Sequence, residues 1–169
     1  MKTGFITLLI LLLSTSEFSS SNPKVLLRTS MGEITLELDA EKAPISTQNF
    51  VKYVNAGFYT GTVFHRVISH FMIQGGGFKP GMKQVSSAGT IRNEADNGLK
   101  NLAGTIAMAR TADPHSAGAQ FFINTNNNTN LDYRSKTQSG WGYAVFGKVT
   151  KGMKTVRRIE AARTHRSGY

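Results

Sequence analysis

The sequence predicts a mainly β fold, an antiparallel barrel that is closed or nearly closed and is capped by two helices. Short apolar runs separated by glycine and polar turns indicate roughly seven strands, and only two segments have helical spacing. Strands and helices do not alternate along the chain, as they would for a parallel sheet. The 169 residues and 17 glycines fit one turn-rich domain.

The first two strands are predicted to form a hairpin. Residues 24–29 and 33–38 are short apolar runs separated by the turn Ser-Met-Gly. In the second run, Ile34, Leu36 and Leu38 alternate with polar residues. This alternation is typical of a strand that buries one of its two faces.

A helix is predicted to follow the hairpin. Phe50, Val51 and Val54 share one face of such a helix. Pro44 stands near the start of the segment and Gly57 near its end, where proline and glycine are favoured. The apolar face is expected to pack against the barrel.

Five further apolar runs are predicted to be strands, with a long loop at residues 77–100 between the second and the third of them. In chain order they read TVFHRVI, FMIQG, GTIAMAR, QFFINT and YAVFGKVT. After them, Met153, Val156 and Ile159 recur at every third position, which predicts the second helix. No internal repeat or interdomain linker interrupts the sequence, so residues 22–169 are interpreted as one domain.

Residues 1–21 have the pattern of a secretory signal peptide. Lys2 precedes an apolar run, residues 5–13, that is broken only by Thr7, and a serine-rich segment follows. Such a run forms a helix about 14 Å long, whereas a membrane core is about 30 Å thick, so no stable membrane span is expected. The protein is predicted to be exported to a periplasm or secreted. The cleavage site stays open, and the alternative is a buried N-terminal helix.

Several chemistries are excluded by composition and spacing. The chain has no cysteine, which excludes disulfides, thiolate catalysis and cysteine-ligated metals. Its four histidines lack metal-ligand spacing, and neither a phosphate-binding loop nor a serine nucleophile elbow is present. The GGG at residues 75–77 therefore indicates a turn or a close approach of the backbone to another group. No metal or cofactor is expected.

The formal net charge of +10 raises the question of an acidic partner. Much of this charge lies in residues 148–166, on and around the second predicted helix. Such a cluster is typical of a solvated helix face, and no nucleic-acid partner is expected. A nucleic-acid binder that uses this basic segment is kept as an alternative.

Arg66 is the residue that first suggests a functional site, because a fixed charge in an apolar run must reach solvent or serve a purpose. Close to it, Met72 and Gln74 share one face of a predicted strand, and Gln120 and Phe122 share a face of another. A pocket lined in this way could bind a small apolar ring and donate hydrogen bonds to the attached peptide. Ordinary core packing is the alternative.

The sequence contains three long motifs, FHRVISHFMIQGGG, GTIAMARTADPHSAGAQFFINT and GYAVFGKV. In their order and spacing they resemble those of the cyclophilins, and most closely the exported bacterial ones, and the resemblance extends over residues 24–166. It implies an eight-stranded barrel capped by two helices. It also implies peptidyl-prolyl cis/trans isomerase activity on proline-containing polypeptides that are unfolded or flexible. The protein is expected to act as a monomer.

The resemblance also implies roles for individual residues. Arg66 would be the catalytic arginine, with Gln74 beside it as its hydrogen-bonding partner, and Phe71 is counted with them among the catalytic residues. The proline pocket would be lined by Phe71, Met72, Phe122 and Leu131. The groove for the residues that precede the proline would be lined by Ala109, Arg110, Thr111 and Gln120, with the Arg110 backbone pairing with the substrate. Tyr143 stands where many relatives have histidine.

The sequence departs from the family pattern at two places. Asn130 replaces an aromatic residue that is common before the pocket leucine, so cyclosporin binding is expected to be weak. Relatives continue past the last helix into a strand that closes the barrel, whereas this sequence stops at Tyr169, so an open barrel edge is expected. The alternative function is a proline-peptide binding or chaperone module without catalysis.

Overall fold

The computed structural model describes residues 22–164 and contains nine strands and two helices there. The predicted signal peptide, residues 1–21, lies outside the described residues. In chain order the elements are β1 (Lys24–Thr29), β2 (Gly32–Leu38), α1 (Pro44–Asn55), β3 (Arg66–Ile68), β4 (Met72–Gly75), β5 (Phe78–Lys79), β6 (Lys83–Gln84), β7 (Thr105–Met108), β8 (Phe121–Asn124), β9 (Val145–Lys151) and α2 (Met153–Glu160).

Seven strands form one curled antiparallel sheet in the order β1-β2-β9-β7-β8-β4-β3. This confirms the predicted fold class, mainly β with an antiparallel sheet and two helices, and the sheet curls into a half-barrel. The resemblance implied eight strands, and within residues 22–164 no strand joins the edges β1 and β3. These two edges of the sheet therefore remain unpaired in the part of the chain that the structure describes.

The predicted hairpin is confirmed. Strands β1 and β2 pair in antiparallel register from Lys24 opposite Glu37 to Thr29 opposite Gly32. Ile34, Leu36 and Leu38 are fully buried, and the polar residues between them are more exposed. The period-two pattern therefore identifies the core face of this strand correctly.

Helix α1 begins at Pro44, and the predicted face packs against the barrel core, with Tyr53 buried in addition. Phe50 and Tyr53 are buried, whereas Val51 and Val54 are only half-buried. The Phe50 ring lies at the centre of an aromatic cluster, with ring centroids 5.2 Å from Tyr59, 5.3 Å from Phe121 and 5.3 Å from Phe146. Aromatic packing, which the helical period alone does not reveal, decides the orientation of the helix.

The N-terminus of α1 is stabilised by a carboxylate from a distant loop. Glu94 accepts hydrogen bonds from the backbone N–H groups of Ile45 at 3.0 Å and Ser46 at 2.7 Å. These groups have no acceptor within the helix, and the negative charge lies at the positive end of the helix dipole. The contact fixes the loop around Glu94 to the helix.

The loop predicted at residues 77–100 contains more structure than expected. Strands β5 and β6 form a small separate sheet, joined by a 3-10 turn at Pro80–Met82. A second 3-10 turn, Ala95–Asn97, follows Glu94. Two-residue strands are too short to show a period, so the sequence pattern could not predict them.

Helix α2 confirms the predicted apolar spacing. Val156 and Ile159 are buried, and Met153 packs half-buried against the same core. Within the basic segment around this helix, Arg157 pairs with Glu160 at 2.9 Å. None of the helices in residues 22–164 has the length and hydropathy needed to cross a membrane.

Phe50→Ala is expected to lower the free energy of unfolding by about 3–5 kcal/mol, because it removes a fully buried ring and leaves a cavity. Val51→Ala on the same helix is the matched control, with an expected loss of about 1 kcal/mol for a half-buried side chain. Urea unfolding followed by circular dichroism measures both values. Similar losses for the two variants would contradict the central position of Phe50.

Candidate active site

A row of four residues crosses the outer face of the sheet and forms the base of the candidate site. Arg66 of β3 lies opposite Gln74 of β4, Gln74 lies opposite Phe122 of β8, and Phe122 lies opposite Ala107 of β7. Residues directly opposite each other on neighbouring strands point to the same face. The pairing register therefore brings together residues that are far apart in the sequence.

The neighbouring row, by contrast, points into the barrel. Ile73, Ile123 and Ile106 lie opposite one another on β4, β8 and β7, and all three are fully buried in the main core. The outer row belongs to a second apolar cluster that includes Met72 and Phe122. These strands thus bury side chains on both faces, and the second face carries the candidate site.

A cavity of about 140 Å³ lies above the outer row and is called the proline pocket below, after the role that the resemblance implies for it. Its lining consists of Arg66, Phe71, Met72, Gln74, Ala109, Arg110, Phe122, Leu131 and Tyr143. Met72 and Phe122 are buried, whereas Arg66 is exposed at the rim. The cavity therefore has apolar side chains at its base and two guanidinium groups, those of Arg66 and Arg110, in its walls.

The Arg66 guanidinium contacts two neighbours on β4. Its Nη1 donates to the Gln74 Oε1 at 3.3 Å and lies 3.9 Å from the Met72 sulfur. Within residues 22–164, no carboxylate lies within 4.0 Å of Arg66. The positive charge at the pocket is therefore oriented by a neutral amide and is not neutralised by an ion pair.

The orientation of Gln74 depends on a second amide. Its Nε2 donates to the Oε1 of Gln120 at 3.0 Å. Because a guanidinium only donates hydrogen bonds, the Gln74 oxygen must face Arg66, and its nitrogen must face Gln120. The hydrogen bonds from Arg66 to Gln74 and from Gln74 to Gln120 thus run in one direction. This chain of two amides, called the amide relay below, holds the Arg66 guanidinium at the pocket.

Comparison with known proteins identifies the family. The model described as cyclophilin type peptidyl-prolyl cis-trans isomerase/CLD matches residues 24–168. The chain belongs to the cyclophilin family. This confirms the resemblance seen in the sequence motifs.

Curated relatives and solved structures agree with the assignment to the cyclophilins. The chain is 59% identical to peptidyl-prolyl cis-trans isomerase cyp18 of Streptomyces antibioticus, over 82% of this chain and 83% of the relative. It is 50% identical to peptidyl-prolyl cis-trans isomerase A of Dickeya dadantii, over 99% of this chain and 90% of the relative. A cyclophilin type isomerase of Cryptosporidium parvum, crystallised in the presence of the dipeptide Ala-Pro, is similar with a TM-score of 0.70 and 27% identity, over 86% of this chain and 89% of that one.

This cyclophilin brings all of the predicted site residues together. Thr111 and Gln120 do not line the proline pocket, but they line an adjoining groove of about 430 Å³. This groove, called the serine groove below, is bounded by segments 84–87, 109–111 and 118–120. Segment 84–87 carries Ser86 and Ser87 and was missed by the sequence analysis, because it lies in the long loop. The roles of the predicted residues in binding and catalysis stay predictions.

Gly77 leaves the space that the Gln120 amide of the relay occupies. A methyl group built on Gly77 would overlap the side-chain amide carbon of Gln120. The backbone of Gly77 is not left-handed, so the constraint is one of space and not of conformation. The expected close approach at the GGG is therefore found here, where the Gln120 amide lies directly against the glycine.

Arg110 contributes its side chain to the site, whereas the resemblance implied a role for its backbone. The guanidinium stacks over the Tyr143 ring at 4.6 Å, and its Nε donates to the Gly142 carbonyl at 2.9 Å. The Tyr143 ring in turn packs edge-on against Phe122, with centroids 5.6 Å apart. Arg110 and Tyr143 together form one wall of the proline pocket.

His65 and His70, which the sequence analysis considered structural, lie near the site but do not line the proline pocket. Burial lowers the pKa of the His65 imidazole, whose ring packs 4.5 Å from that of Phe78. His70 occupies a turn in which its backbone N–H donates to the Glu160 carboxylate at 2.8 Å. Within residues 22–164, no three His, Asp or Glu side chains gather into a group that could hold a metal.

Asn130, the residue that departs from the family pattern, is exposed in the 3-10 turn Thr129–Leu131. Its side chain does not line the proline pocket, whereas the neighbouring Leu131 does. The weak cyclosporin binding expected from this substitution stays a prediction. The monomeric state and the absence of a nucleic-acid partner also stay predictions.

Gly77→Ala is expected to displace the Gln120 amide, and thereby to lower kcat/KM for proline isomerisation about three- to tenfold through loss of the relay. Gln120→Ala should cause a similar loss. Because both changes break the same link, the double variant should be no worse than either single one.

Two readouts on the same variants test this coupling. Catalysed exchange of a short X-Pro peptide gives kcat/KM, and thermal unfolding is expected to differ little between the variants. Losses that multiply in the double variant would show that Gly77 does not act through Gln120.

Proposed function

We propose that this cyclophilin accelerates rotation about X-Pro peptide bonds, with Arg66 as the group that stabilises the transition state. The observation that carries the proposal is the Arg66 guanidinium, which has no carboxylate within 4.0 Å in residues 22–164 and is held by the amide relay beside the apolar side chains of Met72 and Phe122. The pocket offers no thiol or carboxylate, and the reaction requires none, because no covalent bond is made or broken.

The barrier to this reaction comes from resonance. The partial double bond between carbonyl carbon and nitrogen gives X-Pro bonds a barrier of about 18–20 kcal/mol, so uncatalysed isomerisation takes tens to hundreds of seconds. In the twisted transition state, resonance is lost and the lone pair localises on the proline nitrogen. A hydrogen-bond donor aimed at that nitrogen stabilises the transition state and has little effect on the planar ground state.

Arg66 has the properties that this role needs. A guanidinium is charged at every relevant pH and carries five donors. The Gln74 oxygen engages Nη1, and the remaining donors can face the pocket. The apolar side chains of Met72 and Phe122 exclude water from the ring, which strengthens the electrostatic interaction.

Several effects together lower the activation free energy of the rotation. An acceleration of about 10⁴ to 10⁵ corresponds to about 5–7 kcal/mol. A charge-assisted hydrogen bond contributes about 1.5–3 kcal/mol of this. Positioning of the proline ring and exclusion of water must supply the remainder.

The names of the relatives support the same function. Both curated relatives are called peptidyl-prolyl cis-trans isomerases, and the C. parvum structure was obtained with Ala-Pro. We infer that the substrates are proline-containing segments of unfolded or flexible polypeptides, and that the protein assists their folding.

Arg66→Ala is expected to lower kcat/KM for an X-Pro peptide about 10- to 100-fold, because it removes the donor to the proline nitrogen. Arg66→Lys is the matched control, since it keeps the charge but loses the planar fork, and it should retain part of the activity. Exchange NMR of the cis and trans peptide signals measures the rates.

Near-normal activity of Arg66→Ala would remove Arg66 from this role. If the unmutated protein bound the peptide without accelerating its isomerisation, a proline-peptide binding or chaperone module would replace the proposed enzyme.

We also propose that the protein is exported, and that its substrates are exported polypeptides. The support is the sequence pattern of residues 1–21, which consists of a charged start, an apolar run and a serine-rich end.

When the full chain is produced in a Gram-negative host, we expect the periplasmic fraction to contain a form that lacks about the first 21 residues. N-terminal sequencing identifies the start of this form. A matched chain that begins at Asn22 after an initiator methionine should stay in the cytoplasm. Recovery of both chains in the cytoplasm with intact starts would contradict export.

A further inference from the structure

A second cavity adjoins the proline pocket and shares Arg110 and Tyr143 with it. It has a volume of about 800 Å³ and is called the Arg110 cavity, because Arg110 is the one charged residue in its lining. The other polar groups of the lining come from Thr111, Asn130, Thr137, Gln138, Ser139 and Tyr143. No residue of this lining carries a negative charge, so the cavity combines a fixed cation with hydroxyl and amide groups.

The Arg110 guanidinium is held in place by neutral groups. Nε donates to the Gly142 carbonyl at 2.9 Å, and Nη1 donates to the Thr111 carbonyl at 2.8 Å and the Ala112 carbonyl at 3.4 Å. The Tyr143 ring supports its flat face. Within residues 22–164, Nη2 has no acceptor, and no carboxylate lies within 4.0 Å of Arg110. The charge is thus fixed in position but is not neutralised.

The shared walls of the three cavities show which part of a substrate can reach Arg110. Gln74 and Ala109 are shared by the proline pocket and the serine groove alone, whereas Tyr143 is shared by the proline pocket and the Arg110 cavity alone. Arg110 lines all three cavities, and Thr111 lines the groove and the Arg110 cavity. Gln120 belongs to the groove and not to the Arg110 cavity. The proline pocket therefore continues into the groove along Gln74 and Ala109 and into the Arg110 cavity along Tyr143, with Arg110 between the two. If the residues before the proline occupy the groove, the residue after it enters the Arg110 cavity.

We propose that the Arg110 cavity is a subsite for an acidic side chain on the residue that follows the proline. The substrates favoured by this enzyme are X-Pro-Glu and X-Pro-Asp sequences. The carboxylate accepts from the free Nη2 of Arg110 and from hydroxyls of the facing loop, such as those of Thr137 and Ser139. The proposal rests on the proposed isomerase function and adds a preference for one class of substrate.

Neighbouring charges do not provide the same preference. Lys136 lies on the same loop, but its Nζ is 3.9 Å from Asp96, and the residue lines a different cavity with Trp141. Arg66 lines the proline pocket and not the Arg110 cavity. Because the cavity is open to solvent, the effect is modest, and we expect about a three- to tenfold preference for glutamate over glutamine.

Three peptides that differ only after the proline test the proposal, Ala-Ala-Pro-Glu-Ala, Ala-Ala-Pro-Gln-Ala and Ala-Ala-Pro-Lys-Ala. Catalysed exchange rates measured by NMR at low peptide concentration give kcat/KM for each. The expected order is Glu, then Gln, then Lys. The Glu-to-Gln ratio should fall towards one as salt is raised from about 0.05 M to 0.5 M, because a solvent-exposed charge interaction is screened.

Arg110→Gln should bring the Glu-to-Gln ratio to about one, and this ratio corrects for any general loss of activity in the variant. Lys136→Gln removes a positive charge from the adjacent loop and is the matched control. It should leave both the ratio and the basal activity unchanged.

The other possible outcomes would contradict either the subsite or the isomerase function. A ratio of one in the unmutated protein, or an unchanged ratio in Arg110→Gln, would overturn the subsite while leaving the isomerase function intact. A ratio lost equally in Lys136→Gln would assign the preference to general charge and would also overturn the subsite. Absence of turnover for all three peptides would overturn the proposed function itself, and the subsite with it.

Discussion

The antiparallel register between β3, β4, β8 and β7 is the constraint on which the rest of the structure depends. It places Arg66, Gln74, Phe122 and Ala107 in one row, while the next row carries the isoleucines of the main core. A shift of one residue would exchange these rows and move the arginine into the barrel. The hydrophobic free energy that fixes the register therefore also positions the candidate site.

In the candidate site, neutral groups orient the positively charged side chains. Arg66 and Arg110 are both oriented by amide or carbonyl oxygens, and neither has a carboxylate within 4.0 Å in residues 22–164. A carboxylate at Gln74 would orient Arg66 equally well, but it would also neutralise the charge that the reaction uses. Glutamine supplies the orientation and leaves the electrostatic potential of the pocket positive.

Local pattern and family motif predicted those parts of the molecule that depend on short-range order. Alternation in residues 33–38 identified a buried strand face, and motif positions identified the residues that line the proline pocket. Features that depend on contacts between distant segments were not predicted. The carboxylate of Glu94 binds α1 from 48 or more residues away, and Gln120 lies against Gly77 through folding alone. No periodicity encodes such contacts, because each depends on where the other segment is placed.

The lining of the proline pocket contains no carboxyl, imidazole or thiol group. Imidazole is the side-chain group whose unperturbed pKa lies between about pH 5 and pH 8, and carboxyl and thiol groups titrate there only when their surroundings shift their pKa. Since bond rotation transfers no proton, the chemical step is insulated from the acidity of its surroundings. In this cyclophilin, a change in acidity is then expected to act on the stability of the folded chain and not on the bond rotation itself.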